Sequence, residues 1–97
     1  MFKRFGPQRG LISFPIEGWT LTLDVPAALP GLGALLDGLD DLVAGAGGRV
    51  YLAKDSRLRP DLVAAMYPRL REWRAVREQV DPRGVMRSDL ARRLGLV

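Results

Sequence analysis

The sequence predicts an α+β fold, a partial antiparallel sheet with flanking helices. Three observations support this: one stretch alternates apolar and polar residues with period two, several repeat apolar residues at helical spacing, and glycine or proline stands at most junctions. "GWTLTLDVP" is the clearest strand. It sets Trp19, Leu21, Leu23 and Val25 against Thr20, Thr22 and Asp24, and Pro26 ends it near residue 25. Upstream, "LISFPI" is a shorter strand candidate at 11–16 whose Pro15 suits an edge, and "MFKRF" at 1–5 reads as the tail of a strand. After the "PAALPG" turn, Leu32, Leu35, Leu36, Leu39, Leu42, Val43 and Ala46 recur at helical spacing, with Asp37, Asp40 and Asp41 opposite. Gly47 and Gly48 stop that helix, because glycine takes the left-handed position past a helix end without penalty. "RVYLA" at 49–53 then returns as a strand. Residues 19–53 thus read as strand, helix, strand, either a crossover unit or part of a split βαβ sheet.

Past Arg57 the chain turns helical. Pro60 fits the first position of a helix through "PDLVAAMY", Pro68 interrupts it, and "RLREWRAVREQV" places Leu70, Trp73, Val76 and Val80 on one stripe. A last short helix follows, with Ser88 as its N-cap and Leu90, Ala91 and Leu94 facing inward. Trp19 and Trp73 are expected in the core. No repeat, low-complexity tract or linker divides the chain, which reads as a single piece over 1–97. Four short strands are few for a sheet and call for neighbours to complete it.

Composition removes whole classes of chemistry. With no cysteine and no histidine there are no disulfides, thiolate nucleophiles, imidazole bases or common zinc sites. At 97 residues the chain is one small domain at most, burying about 60–70% of its unfolded surface. No run of about 18 uncharged apolar residues offers a membrane span. Gly6 and Pro7 break the N-terminal stretch before any secretory leader could form, so the expected location is cytoplasmic, or peripheral to the membrane or cell envelope.

Charge is uneven, net −1 over residues 1–49 and +5 over residues 50–97. A basic half raises the prospect of an anionic partner. Its arginines, however, alternate with Glu72, Glu78, Asp81 and Asp89 at spacings that form helix-surface pairs, and this reading argues against nucleic acid. The trio Asp37, Asp40 and Asp41 has no histidine or basic companion in sequence, which argues against a metal cluster or an acid/base pair. Neither a P-loop nor a GxGxxG is present. The remaining candidates are Tyr51 and Lys54, at and near the end of the 49–53 strand. Lys54 is one of two lysines beside thirteen arginines, and as a compact cation it could face a developing negative charge. From spacing alone it reads more readily as a surface lysine paired with Asp55, and Tyr51 as a core or rim aromatic.

Larger blocks carry more. "KRFGPQ", "SFPIEGWTLTLDVP", "GGRVYLAKDSR" and "AMYPRLREWRAVREQVDPRGVMRSDLARRLGL" together resemble the C-terminal end of FAD-dependent oxidoreductases of the vanillyl-alcohol oxidase and D-arabinono-1,4-lactone oxidase type. The likeness is to the branch that oxidises the 2′-hydroxyl of decaprenylphosphoryl-ribose on the route to cell-wall arabinan. It implies that the chain is the last part of a substrate domain, with the FAD-binding domain supplied upstream or by a separate chain and a reductase as a further partner. It implies that Tyr51 contacts FAD and that Lys54 lines the pocket near flavin and substrate, as catalytic residue. It also implies that Lys3 and Phe5 form the substrate-pocket wall together with Thr20 and Thr22, where that branch commonly carries Asn and Cys. Two other readings compete: a basic anion- or nucleic-acid-binding module, and a truncated remnant without function.

Overall fold

Alternating side chains make a strand only where a second strand meets its backbone. In the computed structural model, which describes residues 1–97, β1 (Phe2–Phe5) and β2 (Gly18–Leu21) do this for each other. They pair antiparallel with Lys3 opposite Thr20 and Phe5 opposite Gly18. Met1 and Thr22 extend the ladder by exchanging two hydrogen bonds, each of 2.8 Å. Beyond Thr22 no residue stands opposite, and the expected strand to Val25 stops there.

Two expected strands do not form. Residues 11–16 make an irregular connector in which Pro15 lacks an N–H and the Ser13 carbonyl accepts from Arg49. Residues 49–53 have no strand beside them. Tyr51 is extended, and Leu52–Lys54 then coil into a 3-10 turn closed by Lys54 N–H donating to the Tyr51 carbonyl at 3.1 Å. The expected strand–helix–strand crossover is therefore absent.

The helices fall where their punctuation puts them. Helix α1 (Leu32–Gly45) ends at Gly47, whose φ of 72° is the left-handed conformation, while Gly48 N–H returns to the Val43 carbonyl at 2.8 Å. A Cβ on Gly48 would lie 2.9 Å from a Val43 methyl, so only glycine allows this close return. Helix α2 (Pro60–Met66) starts on its proline, α3 (Leu70–Val80) follows the break at Pro68, and α4 (Asp89–Arg93) is capped by the Ser88 hydroxyl, which accepts from Ala91 N–H at 3.1 Å. No helix is long and apolar enough to cross a membrane.

The buried centre is small. Leu58, Val63, Met66, Tyr67, Leu70 and Leu94 form it, with Val43, Val50, Leu52 and Trp73 packed around it. Trp73 thus meets its expectation, whereas Trp19 does not: it is 64% exposed and stacks on Phe2 with ring centres 4.5 Å apart. Val76 and Val80 are exposed as well. The accessible surface is 7122 Å², against roughly 5500 Å² for a compact domain of this mass. The radius of gyration, 14.7 Å, likewise exceeds the roughly 12.5 Å expected. Exposed apolar residues include Phe2, Trp19, Leu21 and Leu23, Leu42 on α1, Val76 and Val80 on α3, and Val85 and Met86 beyond it.

Tyr67 ties the centre to the 49–53 segment. Its hydroxyl donates to the Val50 carbonyl at 2.7 Å, and burial pushes the phenol up to about 12. Tyr67→Phe is expected to lower stability by about 1–2 kcal/mol, because the Val50 carbonyl loses its partner; urea unfolding of the chain measures it. A phenol raised in the folded state stabilises fully below its unfolded pKa of about 10, and that contribution fades as pH rises toward 12. In Tyr67→Phe this alkaline loss should shrink.

Candidate functional site

Strand parity gathers the candidates. With Lys3 opposite Thr20, Phe5 opposite Gly18 and Thr22 opposite Met1, the side chains of Lys3, Phe5, Thr20 and Thr22 share one face of the hairpin. Phe2, Trp19 and Leu21 take the other. Phe5 and Thr20 line a cleft of about 290 Å³ with Phe14, Ile16, Val43 and Arg49, where the hairpin leans over the end of α1. Lys3 and Thr22 lie on the same face but outside the cleft, both exposed.

An aromatic row carries this wall across to the 3-10 turn. Phe5 meets Phe14 edge to face at 6.2 Å between ring centres, and Phe14 meets Tyr51 at 5.0 Å. Tyr51 keeps 45% of its surface exposed. Lys54, three residues on, is exposed and belongs to no ion pair.

The surface pair Lys54–Asp55 does not form, because Asp55 is engaged elsewhere. Its carboxylate is 4% exposed and accepts from Arg57 N–H at 3.0 Å, Leu58 N–H at 2.8 Å and the Arg93 guanidinium at 2.6 Å. Burial alone would raise its pKa. The Arg57 N–H, Arg93 and the Leu58 N–H outweigh burial and hold the carboxyl below its ordinary value. Lys54 is thereby left without a local anion.

The aspartates of α1 correct the sequence reading. Arg57 pairs with Asp37 and with Asp40, the latter at 3.1 Å, and Arg59 reaches Asp41 at 2.7 Å. Their basic companions stand 17 or more residues away in sequence, a distance that local spacing cannot reveal. These pairs clamp the 55–59 loop onto α1. In the basic half, Arg69–Glu72 at 2.7 Å and Arg77–Asp81 at 3.4 Å form helix-surface pairs of the expected kind, as Asp89 does with Arg92.

Sequence reasoning passed over Phe14 and Arg49. Phe14 lay inside a segment read as a strand, where an aromatic is ordinary; its role depends on the 11–16 segment being irregular. Arg49 was one arginine among thirteen. Its only signal was a charge between Gly48 and a run of apolar residues.

One wall of a site, an exposed ring and an unpaired cation are present, but no enclosure. A decaprenylphosphoryl-β-D-ribose oxidase from Mycolicibacterium smegmatis is 48% identical over 98 residues, covering 100% of this chain and 21% of the relative. An uncharacterised protein in the mprA 5′ region of Streptomyces coelicolor is 59% identical over 97 residues, covering 99% of this chain and 26% of that protein. The chain thus spans about a fifth to a quarter of the length of these relatives. The family described as D-arabinono-1,4-lactone oxidase matches residues 29–94, and the chain belongs to that family.

Proposed function

We propose that this chain forms the substrate-facing and flavin-facing wall of an FAD-dependent oxidoreductase that oxidises the 2′-hydroxyl of decaprenylphosphoryl-ribose. The observation that carries the reading is the hairpin face of Lys3, Phe5, Thr20 and Thr22, joined through Phe5 and Phe14 to Tyr51, with the unpaired Lys54 three residues on in the same 3-10 turn. The relative from Mycolicibacterium smegmatis supports the substrate class by its name.

The residues fit a flavin at one edge. Tyr51 offers an exposed ring for packing, and Lys54 an ammonium with no competing carboxylate. When bound, the flavin supplies the two-electron redox chemistry. Lys54 holds the substrate oxygen and stabilises negative charge that gathers beside it, which a compact ammonium does without the geometric demands of a guanidinium. The hairpin face orients the sugar. Thr20 and Thr22 present hydroxyls there, short donors that also accept.

The dinucleotide-binding domain is a partner in this account, since the cleft is open and the hairpin's outer face unburied. Purified by itself, the chain should be colourless and leave the substrate unoxidised. Co-expressed with the remaining part of the Mycolicibacterium smegmatis relative, it should yield a flavin-coloured complex, read from the visible absorption spectrum. A yellow, active preparation of the chain alone would overturn the proposal.

A further inference from the structure

Arg49 is the odd member of its charge class. Five arginines are partly buried, and four of them face carboxylates: Arg57 with Asp37 and Asp40, Arg59 with Asp41 and Asp61, Arg77 with Asp81, and Arg93 with Asp55. Arg49 faces none. It also lines the 290 Å³ cleft, where it is the one charged residue among apolar and aromatic neighbours. A cation drawn out of water without a counter-charge is costly, and such groups are retained where something else supplies the anion.

The side chain is held in place for that purpose. One guanidinium N–H donates to the Ser13 carbonyl, and its central carbon lies 5.2 Å from the centre of the Tyr67 ring. Tyr67 is itself 1% exposed and fixed through its hydroxyl to Val50, so the guanidinium rests on a buried, hydrogen-bonded ring. Four further N–H donors remain in its fork. The Thr20 hydroxyl lies on the same cleft wall.

We propose that Arg49 is an anion-binding residue that takes the phosphate of an organic phosphate, whose apolar portion lies along Phe5, Phe14 and Ile16. This rests on the reading of the cleft as part of the oxidase's binding wall. The phosphate could belong to a polyprenyl-phosphate substrate or to a dinucleotide cofactor; the recognising chemistry is the same, a planar fork against phosphate oxygens.

Calorimetric titration of the chain with geranyl phosphate and with geraniol tests it without any flavin, so its outcome is separate from that of the flavin proposal. Geranyl phosphate should bind at least about tenfold more tightly than geraniol. Arg49→Met should bring the two to the same affinity, and Arg49→Lys should restore part of the difference. Competition by ADP assigns Arg49 to the cofactor phosphate, and its absence assigns Arg49 to the lipid phosphate. Equal affinities of the two prenyl probes for the unaltered chain, or binding of neither, would overturn the inference whether or not the Arg49 variants fold.

Discussion

Lys54→Ala, introduced into a graft in which this chain replaces the matching fifth of the Mycolicibacterium smegmatis oxidase, should lower kcat by about 10²–10³-fold and leave the retained flavin unchanged. The size follows from the loss of a single preorganised charge beside the reacting centre. Stability should not follow, because Lys54 is exposed and pairs with nothing. Lys54→Arg keeps the charge but spreads it over a planar fork on a longer side chain, so partial recovery of kcat is expected. Steady-state kinetics with the flavin content measured on the same preparations separate the cases. A fall in kcat with flavin retained supports the substrate-facing role, whereas loss of flavin with unchanged turnover per flavin would move Lys54 to cofactor retention.

Asp55→Ala should have the largest effect on stability, about 2–4 kcal/mol in urea unfolding. The substitution leaves Arg93 without its carboxylate and the N–H groups of Arg57 and Leu58 without an acceptor, all next to the buried Leu58. The pH dependence has a definite sign. Because the Asp55 carboxyl is held below its ordinary value, its contribution is complete above the unfolded pKa of about 4 and is lost as pH falls through the lower folded value. Asp81 works in the same direction through the N–H groups of Val85 and Met86. Asp40 works against it, since burial pushes its carboxyl up despite Arg57. In Asp55→Ala the acid loss of stability should therefore be shallower, though not abolished. A variant as acid-sensitive as the parent would show that the Arg93–Asp55 contact is not formed. The same contact anchors the turn that carries Tyr51 and Lys54, so the variant should also weaken activity in the graft.

Local signals proved readable in this chain, and long-range ones did not. Pro60, Ser88 and the Gly47–Gly48 pair each act within one helical turn, and their helices begin or end where these residues require. Lys3, Phe5, Thr20 and Thr22 were drawn from a resemblance. That they share a face follows from the β1–β2 register, which two segments 12 residues apart cannot state by themselves. "RVYLA" has the composition of a strand, but a strand needs a neighbour, and here the Tyr67 hydroxyl satisfies the Val50 carbonyl instead. Trp19 has the composition of a core residue. It is exposed because the hairpin has two faces and this fold covers one of them. The partners of Asp37, Asp40 and Asp41 come from residues 57 and 59, and Phe14 reaches Tyr51 across 37 positions.

The most direct test of the account is turnover by the graft itself. Oxidation of decaprenylphosphoryl-ribose by the graft, compared with its parent at equal flavin content, reads the one claim on which the other functional predictions depend. The account predicts a kcat within about tenfold of the parent, because the hairpin face, Tyr51 and Lys54 are all in place. A folded, flavin-loaded graft that does not oxidise the substrate would contradict it.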